Sequence, residues 1–385
     1  MDRLRIEAGS AWLNLGDWIV VATATLLLTL GLYRHVRADE GAILGSPSLL
    51  ADPALECPPE IAAPAACPPA CCERICHVLD PLGLEPCWSG RAEALLLWRD
   101  APQSVPLYDY ANGSGVAMNA NGFESGMAAG PRFTIFRHTG DQGAIEFNYF
   151  RVQFFESAQS LPTTNGGYRD HQPRGIYCCD VTSPVDAASG SMSSGLQSFE
   201  LNRRFPTDGR WQWLAGFRWV EWTDAIALQS SATARGITAT RNYATNTFND
   251  LYGMQVGADS FLYDGGGPWR IEGLGKAGVY YNNAVQYSSY SLNLTRRDPT
   301  NLAVGTNIGQ AAFVGELGAT GVYDLNDYWS LRAGYAIFWL GGLALAPNQL
   351  NSQKLCPPGD DLSGATNTGG SVVVQGITLG LEGRW

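Results

Sequence analysis

Lysine is almost missing from this chain of 385 residues, with only Lys276 and Lys354 present. Its cations are therefore nearly all guanidinium, which suits fixed pairing with carboxylates better than loose surface solvation. Histidine is scarce as well: His35, His77, His138 and His171 are the full set. No Gly-x-Ser-x-Gly elbow, phosphate loop or His-Glu-x-x-His pattern occurs, so nothing in the sequence signals hydrolase, nucleotide or zinc chemistry. Excess positive charge is absent. The formal net charge of −11 attracts no nucleic acid. Long apolar runs are absent too, except at residues 18–33, and a mean hydropathy of −0.09 rules out a helical membrane protein.

That one run is followed by Val36-Arg37-Ala38, which puts small side chains at the minus-three and minus-one places of a signal-peptidase site. Residues 1–38 are read as a removed export signal. Asp2, Glu7 and Asp17 offset Arg3 and Arg5 before the run, and Arg34 and Arg37 follow it, so a retained anchor or a misassigned start is the alternative. Removal takes away four arginines and three carboxylates and leaves a balance of −12. Residues 39–87 are rich in Ala, Pro and Cys with no alternation, and read as a periplasmic leader, either a tether or a small stapled segment.

What is abundant is alternation. From Trp88 onward, ten segments carry period-two apolar patterning: 88–99, 126–138, 144–155, 194–204, 210–223, 247–263, 268–288, 310–324, 328–345 and 370–385. The even-numbered ones are followed by short Gly/Asp/Asn turns at 139–143, 206–209, 264–267 and 325–327. Between them lie long polar stretches at 100–125, 156–193, 224–246, 289–309 and 346–369. Short periplasmic turns alternating with long external loops, and an even strand number, are what an antiparallel transmembrane β-barrel requires. Residues 88–385 are therefore read as an all-β outer-membrane barrel of about ten strands. Eight or twelve also fit, because the patterning of 100–125 and 156–193 is weak.

Tryptophan spacing points the same way. Trp88 and Trp98 are ten residues apart, as are Trp329 and Trp339, while Trp211 and Trp219 nearly repeat the interval. Ten residues tilted by about 45° climb roughly 23 Å, near the height between two aromatic girdles. Trp385, ending an apolar face with Val373, Ile377, Leu379 and Leu381, completes the expected girdle. On the opposite parity fall Arg91, Glu93, Arg132, Glu146, Glu200, Arg204, Arg218, Arg270, Glu272, Lys276, Glu316, Arg332, Glu382 and Arg384. These are expected to face the lumen as a charge network. In a soluble β-sandwich the same residues would form the solvated face.

Several stretches resemble a known family. They are Trp88-Ser89-Gly90-Arg91-Ala92-Glu93-Ala94-Leu95-Leu96-Leu97-Trp98, then Gly275-Lys276-Ala277-Gly278-Val279-Tyr280-Tyr281-Asn282-Asn283-Ala284, then Gly315-Glu316-Leu317-Gly318. Tyr328-Trp329-Ser330-Leu331-Arg332-Ala333-Gly334-Tyr335 and Leu343-Ala344-Leu345-Ala346-Pro347 follow. With these, the chain resembles the planctomycete outer-membrane β-barrel proteins over roughly 88–385. The resemblance implies the fold and supplies no functional residues, and the Cys-rich leader departs from a plain signal-then-barrel plan.

Cys57, Cys67, Cys71, Cys72, Cys76 and Cys87 crowd the leader, with Cys178, Cys179 and Cys356 downstream. In an exported chain these read first as disulfides, including a link from Cys356 to Cys178 or Cys179 across two external loops. Metal binding by Cys67, Cys71, Cys72, Cys76 and His77 is the weaker reading, and no metal or cofactor is expected. At the external rim, His171 with Asp224, Asp250, Asp360 or Asp361 is the nearest approach to a catalytic or cation site. The functional expectation is a non-enzymatic barrel of the cell outer membrane, structural, at the cell surface, or a narrow pore. A porin-type channel, a rim hydrolase and a secreted adhesin are the alternatives. Expected partners are outer-membrane lipid, the barrel-assembly machinery through the C-terminal strand, and a cell-surface polymer.

Overall fold

The computed structural model describes residues 88–139, 143–171, 184–205, 211–295, 297–350 and 365–385. The chain divides into two units, 1–65 and 66–385, and the described residues belong to the second. The signal, the leader, all nine candidate disulfide cysteines, His35, His77, Asp360 and Asp361 lie outside the described residues.

Ten strands close into one antiparallel ring. In chain order they are β1 (Trp88–Arg99), β4 (Ala128–His138), β5 (Ala144–Gln153), β8 (Ala187–Phe205), β9 (Trp211–Ala234), β10 (Ile237–Asp264), β11 (Trp269–Leu294), β12 (Arg297–Asp324), β13 (Trp329–Leu343) and β14 (Gly370–Arg384). Each pairs with the next, β5 pairs with β8, and β14 returns to β1. At the seam Arg91 lies opposite Glu382. Trp88 and Trp385 exchange two backbone hydrogen bonds of 2.9 Å. Closure leaves no sheet edge in the ring, so every wall peptide has a partner inside lipid. The expected strand count of ten holds.

Two expected loops are wall instead. Residues 224–246 continue β9 into β10 with Arg235 and Gly236 at φ +51° and +76°, a two-residue turn of the type favoured in hairpins. Residues 289–309 likewise continue β11 into β12. Their Ser, Thr, Asn and Ala residues give little apolar contrast between faces. One face meets solvent and the other packs on polar and aromatic neighbours, so the alternation that marks lipid-facing strands fades. As a result β9 to β12 run 24 to 28 residues, whereas β1, β13 and β14 have 12 to 15.

Within 100–125 and 156–171 the short strands β2 (Pro106–Tyr110), β3 (Val116–Asn119) and β7 (Tyr168–Asp170) join in one small sheet that caps the barrel, while 187–193, expected as loop, already belongs to β8. A further strand, β6 (Ser157–Ser160), extends the wall beside β8. The cap buries Leu107, Tyr108, Met118, Phe123 and Tyr168 against Ile226, Tyr243 and Tyr290 of the tall hairpins. Full burial of an aliphatic or aromatic side chain contributes about 1.5–3 kcal/mol, so this cluster ties the cap to the hairpins.

Candidate functional site

The lumen is layered along the barrel axis. Beside the short turns, Asp324 accepts from Arg270 at 2.5 Å and Ser330 at 2.5 Å, and Glu382 accepts from Arg91 at 2.8 Å and Arg332 at 2.7 Å. Glu272 takes Arg332 at 2.7 Å and Arg270 at 2.9 Å. Arg384 reaches Glu382 at 3.1 Å and Asp324 at 3.4 Å.

One layer further in, Glu146, Glu200 and Glu316 anchor a network drawn from seven strands. Arg204 donates to Glu146 at 2.6 Å, and Lys276 bridges Glu146 at 3.2 Å and Glu200 at 2.8 Å. Glu316 holds Arg132 at 2.5 Å and Arg218 at 2.9 Å. Asn202 and Gln255 donate to Glu200 at 3.0 and 2.7 Å. These ions are almost fully buried, and their retention requires each to be paired. Sequence parity assigned fourteen charged residues to the lumen; thirteen of them occur in these ion pairs, and Glu93 lies 3.8 Å from Arg332 Nε.

Parity reading missed Asp259 and Asp324. Asp259 pairs with Arg204, and it shares the parity of Gln255 in β10, a signal that was readable; a bulge between Phe261 and Tyr263 then breaks the register. Asp324 is the last residue of its strand. With them the two layers hold eight carboxylates and eight cations among the described residues. A cavity of about 370 Å³ lies among them, with Trp211 and Gln212 at the start of β9 in its lining.

Above the charges the lumen turns apolar. Leu95, Leu97, Phe150, Leu196, Val220, Trp222, Phe338, Leu340, Val372 and Val374 meet as one buried cluster. This septum draws buried side chains from all ten ring strands. Its position does not follow from alternation, because each strand contributes only one to four residues on a face that is polar elsewhere.

Segment 342–350 folds inward above the septum. The amide of Asn249 grips Ala344, donating to its carbonyl at 2.9 Å and accepting its N–H at 2.7 Å. Asn282 donates to the Gly342 carbonyl at 2.9 Å, and Gln310 to the same carbonyl at 2.6 Å. Asp224, expected at the rim, is instead buried. It accepts from Arg99 at 2.7 Å, Ser194 at 2.8 Å and the Ala346 N–H at 3.0 Å. The Arg99 guanidinium also lies 5.3 Å over Trp222. Asp250 lies on the opposite parity to buried Asn249 and so faces outward, beside Glu221, away from His171.

At the cap, His171 Nδ1 lies 2.6 Å from Asp109 and bonds no other side chain among the described residues. Asp170 accepts from Arg241 at 2.6 Å; burial pushes its carboxyl above the usual range although Arg241 opposes the shift. Among the described residues no hydroxyl or thiol bonds the His171 ring of the Asp109–His171 pair. His138 sits at the other end, 3.0 Å from Ser89.

The tryptophans expected to form a girdle fall on the outer wall. Trp88, Trp98, Trp211, Trp329, Trp339 and Trp385 are exposed, and Trp219 lies half-buried on the same outward face. Between them Ile135, Phe147, Leu201, Phe217, Leu331, Ile377, Leu379 and Leu381 form an apolar outer band. No helix among the described residues is long and apolar enough to cross a membrane.

Among solved structures, the chain is similar to the outer membrane protease OmpT from Escherichia coli at 11% identity and a TM-score of 0.44. That match covers 77% of this chain and 96% of the other. The toluene transporter TodX of Pseudomonas putida matches at 10% identity and TM-score 0.28, covering 79% and 91%. An anion-selective porin from Comamonas acidovorans matches at 10% identity and 0.18, covering 77% and 98%. No curated protein matches. The family described as Putative beta barrel porin-7 (BBP7) matches residues 171–385, which contain β8 to β14. On that match, over more than half its length, the chain belongs to the BBP7 β-barrel family.

Proposed function

We propose that this protein is an integral outer-membrane barrel without enzymatic activity, whose lumen is closed and whose work is done at its surfaces. The single observation that supports this reading is the filled lumen cross-section: a buried apolar cluster drawn from all ten strands, with segment 342–350 hydrogen-bonded above it. An open diffusion channel needs a continuous wetted path, and a mixed, internally paired charge set offers no selectivity ring. In this reading the short turns face the periplasm and the tall β9–β12 hairpins with their cap face outward, as the short-turn rule for such barrels directs. The cap and hairpins then present Ser-, Thr- and Asn-rich surface to a cell-surface polymer, with outer-membrane lipid around the belt. The C-terminal strand, pairing with β1, is the element that the barrel-assembly machinery would engage. Kinship with the planctomycete barrel proteins, carried by the strand motifs of β1, β11, β12 and β13, agrees with this placement.

Planar-bilayer recording of the refolded chain tests the proposal. The expected outcome is electrical silence at about 1 M salt, where the Debye length of roughly 3 Å removes electrostatic barriers as a cause of silence. Steady unitary steps in the unmodified protein would establish the porin reading in its place.

A further inference from the structure

The cavity among the lumen charges holds one carboxylate that the network leaves open. Glu93 accepts no hydrogen bond among the described residues, and its nearest cation, Arg332 Nε, is 3.8 Å away. Every other carboxylate of the two layers has a partner at 3.2 Å or closer. Glu93 lines the cavity beside Arg132, its cross-strand partner, and faces Gly380 of β14. A Cβ at Gly380 would stand 2.6 Å from both the Ala92 carbonyl oxygen and Glu93 Cγ, so glycine there lets β1 and the Glu93 stem approach β14 closely.

Two donors and an acceptor are also left over at this place. Arg132 Nε and Arg332 Nε are buried N–H groups with no acceptor, and Asn148 Oδ1 is a buried acceptor with no donor. All three residues line the same cavity and are themselves more than nine-tenths buried. Buried polar groups without partners are uncommon enough to point to an absent partner. Arg132 is also held in place, stacked 5.0 Å over Phe150 and 5.6 Å over Phe338, so it is a fixed donor and not a wandering surface arginine.

We propose that this cavity is a binding site for a small zwitterion, an amino acid or dipeptide with both termini uncapped, entered from the short-turn end. The ligand ammonium pairs with Glu93, and its carboxylate takes the spare N–H groups of Arg332 and Arg132. Charge balance selects the ligand class. Eight carboxylates and eight cations already cancel, so a ligand of net charge would leave one uncompensated ion in a lipid-jacketed lumen, whereas a zwitterion leaves none. The septum above makes the site a dead end, so it binds without conducting.

Isothermal titration calorimetry of the full refolded chain in detergent tests this with three probes: L-alanyl-L-alanine, its N-acetyl derivative and its C-terminal amide. The expected result is saturable binding of the uncapped dipeptide, with each capped form weakened by about tenfold or more, the loss of one charge-assisted contact. Glu93→Gln should abolish the preference over the N-acetyl anion, which lacks the ammonium, while the protein keeps its faster unheated gel migration. If Glu93→Gln does not fold, Glu93→Asp, which keeps the charge and draws the carboxylate back by one methylene, should reduce affinity severalfold. Equal binding of all three probes, no saturable heat from any of them, or full affinity in the folded variants would overturn the proposal.

Discussion

Asp224 and Arg99 form a buried pair that links β1 and β9 to the inward segment through the Ala346 N–H. Removing one member of such a pair leaves an uncompensated charge and costs about 3–5 kcal/mol. Asp224→Leu should therefore lower the thermal midpoint of the refolded barrel sharply. The Arg99→Met, Asp224→Leu double variant should recover much of that loss, because no orphan charge remains. A double variant no more stable than the single one would show that the pair acts through geometry alone. The contrast with the lumen layers below is instructive: Glu316 and Arg132 were legible from parity, since each lies on the minority face of an otherwise apolar strand. Arg99 and Asp224 were not legible as a pair, since 125 positions separate them in the chain and only ring closure brings them together.

Segment 342–350 is an element that reads as loop and behaves as a plug. Its turn inward begins at Gly342, with φ +80°, where a Cβ would stand 2.8 Å from the Ala311 carbonyl oxygen. Both facts favour glycine there. Asn249→Ala removes the paired contacts to Ala344 and leaves a buried N–H and carbonyl unsatisfied, a cost of about 1–3 kcal/mol each. Limited proteolysis should then cut within 344–350 faster than in the unmodified protein, and the ten-stranded ring should persist on a gel. Unchanged cleavage would mean the septum packing, not the amide clamp, holds the segment. The outer wall gives a second element-level test. Leu379 lies in the apolar band, so Leu379→Arg should cost about 2–4 kcal/mol in lipid, whereas Ser289→Arg, on the exposed upper wall of β11, should cost about 0–1. Equal costs at the two positions would put the belt elsewhere on the barrel.

At the scale of the whole molecule, ring closure and interior packing together set stability. The ten-strand ring pairs every wall strand on both sides, and the septum, the two charge layers and the cap fill what would otherwise be a channel. The unheated protein should run faster than the heated one on a denaturing gel, and the difference should survive about 1 M salt, because buried ion pairs are screened far less than exposed ones. A salt-induced loss of the compact band would mean that water reaches the charge layers freely.

The sequence by itself determined the strand number, the starts of most wall strands, the outward tryptophans and the inward charges, because a wall between lipid and lumen imposes a period of two on every residue that spans it. It did not determine where the wall ends at the tall-hairpin end, since 224–246 and 289–309 lie beyond the apolar outer band and lose the contrast that makes alternation visible. Nor did it determine whether the lumen is open. That depends on which inward residues of different strands come level with one another, on Gly342 turning a loop into the barrel, and on the cap folding over the hairpins. Those are relations between residues far apart in the chain, set by stagger and closure of the ring, and only the tertiary structure decides them.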